Sequence, residues 1–495
     1  MHPLWEIPEV VSEFIRLLPK KDQVQVAQVN TTLWEIAIRY IWREVPNIKN
    51  FCRLFPPNLW NKVQDTSTSP PSLNRELQDG DWSRSLLHSC HTRAIDYSIG
   101  DLRNVAPPEI WNHRLLSAAF PRLESLAVSD FDESGDPGPI NIIPLLLRPS
   151  LRSVDLFTEM CTADSPVISV LQTITENKAF SLEELGFHLI WETFPVNGVV
   201  AQAIASQTYL RRLTIGGLSE LADLAESAKH LPFLEQLDVQ GIGWPSGAPE
   251  EKDNGLGFYS LATFVMAGHP TMIHNLLRSI GSDRLARVAL TFKHWGSADL
   301  SSELIAEMRR FRPRLVHLQL NVQGWFGWED LQPVLDLPEL QSFHLVSVGV
   351  GSRDITTERV RLMIEAWPNL TQLRLHTPPS HVTLSALACI ATHCPNLRKL
   401  AMTFDAGKAM NPSGLQNIDA SFSNQALELF DVMATTFDAG DEEGLADVFR
   451  SWWPNARLCR SNPDPRAAVR WDIEDAFTWP GQTKSGAKLD TLVAD

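Results

Sequence analysis

A chain of 495 residues with 44% apolar content has ample material for a large core, and its formal net charge of −16 excludes a nucleic-acid-binding body, because phosphate affinity needs a basic footprint. Six cysteines (Cys52, Cys90, Cys161, Cys389, Cys394 and Cys459) lie scattered along it, which argues against a disulfide framework. No apolar run reaches bilayer-spanning length, and the N-terminus lacks the basic and uninterrupted apolar regions of a secretory signal, so a cytoplasmic and/or nuclear location with no membrane partner is expected.

The first predicted helix opens at Ile7-Pro8-Glu9-Val10-Val11. Pro8 suits the first turn, where its missing N–H has no partner to lose, and Glu9 favours the positive end of the helix. Val11, Phe14, Ile15 and Leu18 recur at helical spacing, and Pro19 closes the run. Asp22 can cap a second helix. Val26, Val29, Leu33, Ala37 and Ile41 continue an apolar stripe past Trp34 and Trp42. Two or three short helices result, with more apolar surface than about 45 residues can bury among themselves.

In its Ile7-Pro8-Glu9-Val10-Val11 opening, Leu18, Asp22-Gln23-Val24, Val29-Asn30, Trp34 and closing Ile41-Trp42, this segment resembles the F-box. It departs from that pattern at Ile7, at Gln23-Val24 and at Asn30-Thr31-Thr32-Leu33. The resemblance implies an all-α domain over residues 1–48 that docks the Skp adaptor, and through it the cullin scaffold, with Ile7, Pro8, Val11, Ile15, Leu18, Trp34 and Trp42 as the contact residues. A helical and flexible linker is expected over 49–90, with a turn-rich stretch at Thr66-Ser67-Thr68-Ser69-Pro70-Pro71-Ser72.

The remainder repeats. A proline two residues ahead of a leucine opens a strand-like Leu-x-x-Leu-x-Leu segment at Pro121-Arg122-Leu123, Pro149-Ser150-Leu151, Pro232-Phe233-Leu234, Pro313-Arg314-Leu315, Pro338-Glu339-Leu340, Pro368-Asn369-Leu370 and Pro395-Asn396-Leu397. Copies without the proline start at Leu182, Leu210, Leu285 and Leu427. A short strand with alternate apolar residues, a helix that returns behind it and a proline that stops the helix form a unit unable to bury its own apolar face, so stacking makes the domain. The wide interval between Leu234 and Leu285 points to a polar insertion near 243–257.

These units resemble the leucine-rich repeats, whose period is about 20 to 29 residues, that follow the F-box in substrate receptors of SCF-type ubiquitin ligases. The implied fold is α/β: N-terminal helices, then a solenoid of about 11 to 13 repeats over 91–460, with a parallel sheet on the concave face and helices on the convex face, and a cap and loose tail over 461–495. If strand positions three, five and seven face the concave side, that side presents Arg287, His317, Gln319, Asn321, His344, Gln372, Arg374, His376 and Lys399. On an acidic chain this is a candidate site for an acidic or phosphorylated peptide of an unidentified target protein; the plainer reading is the wet side of a sheet.

Other constellations point less far. Trp325, Phe326 and Trp328 gather in one turn, either as interface anchors or as cover for a core edge. Cys389, His393 and Cys394 superficially resemble metal ligands but fit a repeat helix ending at Pro395. Val348-Gly349-Val350-Gly351-Ser352 lacks the lysine and spacing of a phosphate loop, and no local catalytic motif is present. The expectation is a non-enzymatic receptor without cofactor or metal, with a ligase-free interaction scaffold and a small-molecule-sensing repeat receptor as the alternatives.

Overall fold

The structure, a computed structural model, describes residues 7–45, 48–61, 72–98, 107–130, 146–161, 166–177, 179–192, 196–217, 222–240, 256–295, 298–324, 327–347, 355–376, 382–404, 424–432 and 448–459. Most of the expected insertion, the Thr66–Pro71 stretch, Trp325, Phe326, the glycines at 349 and 351 and the tail from 461 lie outside them. The fold is α/β, with parallel strands paired in chain order and helices between them. It divides into two compact units, residues 1–268 with 275–285 and residues 269–274 with 286–495.

The first unit begins with α1 (Pro8–Leu17), α2 (Lys20–Ala27) and α3 (Thr31–Ile41). Pro8 occupies the first turn of α1, with Glu9 beside it and Arg16 in the last turn, both charges matched to the helix dipole. Val11, Ile15 and Ala37 form the core of this module, wrapped by Val26, Ala27, Leu33, Ile36, Tyr40 and Ile41. Two of the three departures from the F-box pattern close backbone groups that a helix end leaves open. Gln23 is buried, and its Nε2 donates to the carbonyls of Ile15 and Leu18, each at 3.0 Å, at the end of α1. Asn30 caps α3, its Oδ1 accepting from the Leu33 N–H at 2.8 Å. Asp22, expected as a cap, sits inside the first turn of α2.

The helices run directly into a sheet. β1 (Glu44–Val45) pairs parallel with β2 (Ala94–Ser98), and β3 (Ser125–Asp130), β4 (Ser153–Cys161), β5 (Glu184–Glu192), β6 (Arg212–Gly216), β7 (Gln236–Gln240) and β8 (Thr263–Gly268) follow in order. The described part of 49–90 is packed, with Phe51, Phe55 and Trp82 buried in an aromatic cluster against Phe120. The wide interval after Leu234 holds a whole repeat, begun by buried Leu261 and continued by β8. Where the strands start, Arg93 pairs with Glu124, Arg152 with Glu183 and Arg211 with Glu235, a charge alternation from repeat to repeat. After β6, Gly217 has φ +79, and a Cβ there would fall 1.4 Å from the Leu189 carbonyl oxygen, so only glycine fits.

The second unit contains β9 (Arg287–Trp295), β10 (His317–Gly324), β11 (Ser342–Ser347), β12 (Gln372–His376), β13 (Lys399–Met402), β14 (Leu429–Asp431) and β15 (Arg457–Cys459), again parallel and in order. Burial alternates along β12, β13 and β14, as in β12, where Leu373 and Leu375 are buried and Gln372, Arg374 and His376 are half-buried. Burial of the apolar set, at about 25 cal/mol per Å², holds strands against helices such as Thr357–Ala366 and Leu384–His393. The entry to each strand carries the register bonds: the amides of Thr371 and Gln372 both donate to the Gln341 carbonyl, and those of Arg398 and Lys399 to that of Thr371.

Candidate functional site

The N-terminal helices present a surface that differs from the one expected. Val11 and Ile15 are buried in the module's own core, so they cannot serve a partner without unfolding it. The reason is geometric: α1 is apolar on two sides, and the side at Val11 and Ile15 is the one α3 covers. The other side carries Ile7, Val10, Phe14 and Leu17, at intervals of three and four residues along one outward stripe; Phe14 is 44% exposed and Leu17 74%. Val24 and Val29 add exposed apolar surface from α2 and the turn after it. Pro8 is exposed and Leu18 half-buried. Trp34 and Trp42 are half-buried and close on the His88 ring, with centroids 6.3 and 5.1 Å away, fixing the module to the helix Ser83–Ser89.

The second surface is the polar face of β9 to β13. The register places the expected residues in three rows. Arg287, His317, Ser342, Gln372 and Lys399 are successive neighbours in the first; Ala289, Gln319, His344, Arg374 and Ala401 in the second; Thr291, Asn321, Val346 and His376 in the third. All nine expected residues of this face therefore share it. Gln319, Asn321 and Ser342 are buried, and the others are half-buried. Asn321 Nδ2 donates to Thr291 Oγ1 at 3.1 Å, and Ser342 Oγ lies 3.4 Å from His344 Nε2.

The electrostatics of this face come from burial among cations. Desolvation, then Arg374, His317 and Lys399, push the His344 imidazole down to about 4, against a hydrogen bond with Gln372. Desolvation and Arg287 bring His317 to about 4 as well. His376 is lowered by burial and Arg374, with Asp431 opposing. The histidines are thus neutral at pH 7, and the positive charge resides on Arg287, Arg374 and Lys399.

The corresponding face of β2 to β7 is acidic, with Asp96, Asp155, Glu184 and Asp238 pointing to the same side as Arg212 and His188. Asp155 Oδ1 stands 3.5 Å from His188 Nε2, leaning over Gly186, where a Cβ would come within 2.2 Å of it. Burial raises the Asp238 carboxyl to about 6. The sequence reading passed over this acidic row; its signal was the Asp or Glu recurring among the polar strand positions.

The remaining candidates resolve into packing. Trp328 is buried, with the Arg359 guanidinium 5.3 Å above its ring, so it covers a core edge. Cys389 Sγ lies 3.5 Å from His393 Nδ1 on one helix, while the Cys394 thiol is buried and pushed up to about 12. Among the described residues no group of three potential ligands is placed to hold a metal, and no helix is long and apolar enough to cross a membrane.

No family model matches the chain, and no curated protein matches it. Among solved structures, it is similar to a crystal structure of a Bacteroides fragilis protein, a Northeast Structural Genomics Consortium target. The two share 13% identity over 52% of this chain and 76% of that one, with a TM-score of 0.33. A likeness at that score carries no argument about function.

Proposed function

We propose that this protein is an F-box and leucine-rich-repeat receptor, the substrate-recognition subunit of an SCF-type E3 ubiquitin ligase. The N-terminal helices dock the Skp adaptor and thereby the cullin scaffold, and the repeats hold a target protein. The chain itself performs no bond chemistry. The observation that carries the reading is the outward stripe of Ile7, Val10, Phe14 and Leu17 on α1. The module has a closed core of its own, and an exposed apolar stripe along one helix is the usual form of a helix docking site. Burial of each at about 1.5 to 3 kcal/mol sustains a stable interface after association costs.

Parallel repeats behind the module supply the second half of the reading, since leucine-rich solenoids bind partners along a sheet face. Gln23 and Asn30 support it from another side: at two of the three places where the sequence leaves the F-box pattern, the residues seal helix ends, so these departures preserve the module. The test is capture of purified Skp adaptor by the intact chain and by a Phe14→Asp, Leu17→Asp variant. The reading requires capture by the first and its loss in the second; equal capture by both would refute the α1 stripe as the docking surface.

A further inference from the structure

We propose that the polar face of β9 to β13 binds an extended acidic segment of a partner protein, its carboxylates taken by Arg287, Arg374 and Lys399, and that docking places a proton on His344. The inference rests on the receptor reading for the partner being a protein, and it names the chemistry of the segment that the repeats hold.

Three features of the geometry lead there. Arg287 and Lys399 stand at opposite ends of one register row, four strand spacings or about 19 Å apart, the length of about six residues of extended chain. Neither forms an ion pair with the described residues, so among these both charges lack a carboxylate partner. On the same face, Asn321 Oδ1 and His376 Nδ1 are buried without a hydrogen-bond partner. Buried polar atoms ordinarily find one. A peptide laid across the strands carries backbone N–H groups that fit both, and acidic side chains that fit the cations.

The proton follows from the neighbours of His344. It faces His317 and Gln319 on β10, Gln372, Arg374 and His376 on β12, and Lys399 on β13. Asp431 on β14, two strands beyond Arg374 in its row, is the acid that acts on His376 of this set. With cations on several sides and only partial access to water, the free imidazole stays neutral. Carboxylates paired with these cations remove the repulsion that disfavours the imidazolium and add acceptors beside the ring, and a proton from solvent then settles on it. Affinity therefore rises as pH falls from 7.5 to 5.5, an interval in which glutamate side chains remain ionised.

The full chain is titrated with a fluorescein-labelled ten-residue peptide of alternating Glu and Ser, and with its Gln and Ser counterpart, at low ionic strength. The expected result is binding of the Glu peptide at least about tenfold tighter than the Gln peptide, weakened about tenfold or more by Arg287→Gln with Lys399→Gln. Tightening from pH 7.5 to 5.5 should vanish in His344→Gln, with melting temperature monitored to confirm folding. Equal binding of the two peptides, or Glu-peptide affinity unaltered in the double variant, overturns the site; an unchanged pH response in His344→Gln overturns the proton. Adaptor capture needs only the N-terminal helices, so failure here and failure of the receptor reading are seen separately.

Discussion

His344 on β11 and Arg374 on β12 stand directly opposite each other in the parallel register, with Gln319 on the other side of the histidine. A neutral imidazole beside a permanent cation is the low-energy arrangement where water is partly excluded. This pairing sets how the second unit responds to acid.

In the native chain His344 and His317 take a proton only near pH 4, whereas unfolded histidine does so at about 6.5. Between those values the unfolded chain binds more protons, so stability falls as pH drops from about 6.5 to 4. Melting temperature followed against pH should decline across that interval, and the decline should be shallower in His344→Gln. An identical acid limb in the variant would contradict the assignment.

Asp238 behaves in the opposite sense. Its native carboxyl titrates near 6 because of burial, above the unfolded value of about 3.9, so its charge costs stability above pH 6 and the cost fades as pH falls toward 4. Asp238→Asn should stabilise the protein at pH 7.5 by about 1 to 3 kcal/mol and bring no gain at pH 4. Denaturant midpoints at the two pH values measure it.

Much of this could be read from the sequence, and the misses have identifiable causes. Leu318, Leu373 and Leu400 mark inward strand positions, and their polar neighbours fall on one face as expected, because a strand's period of two leaves no choice. The helix α1 offered no such certainty. Residues 10, 11, 14, 15, 17 and 18 are all apolar, so periodicity fits two faces, and which one α3 covers is a tertiary fact. Trp34 and Trp42, adaptor contacts by the F-box resemblance, both meet His88, a residue too distant in sequence for local pattern to connect. The acidic side of β2 to β7 is hard to see in the sequence because Asp96, Asp155, Glu184 and Asp238 lie one to three repeat lengths apart.

Asn424 illustrates a polar residue placed at an apolar position. It lies three residues before Leu427, where other repeats have Trp367 or Leu337. It is buried, its Nδ2 donating to the Cys394 carbonyl at 2.7 Å and its Oδ1 accepting from the Ala426 N–H at 2.8 Å. Asn424→Ala should cost about 1 to 3 kcal/mol, the loss of two side-chain hydrogen bonds at a buried position. Equilibrium unfolding of the second unit is the measurement.

The two sides of α1 should separate stability from binding. Ile15 is fully buried, so Ile15→Ala should cost about 2 to 4 kcal/mol. Leu17→Asp, on the exposed side, should stay within about 0.5 kcal/mol of the parent. Thermal melts of the two variants decide between this orientation of α1 and its reverse.

The most direct measurement of the central claim is the dissociation constant for purified Skp adaptor, determined by calorimetry with the intact chain and with Phe14→Asp, Leu17→Asp. The account predicts saturable one-to-one binding by the intact chain and at least a hundredfold loss in the variant, about 2.7 kcal/mol, with its melting temperature unchanged. Absence of binding by the intact chain, or equal affinity in a folded variant, would contradict it.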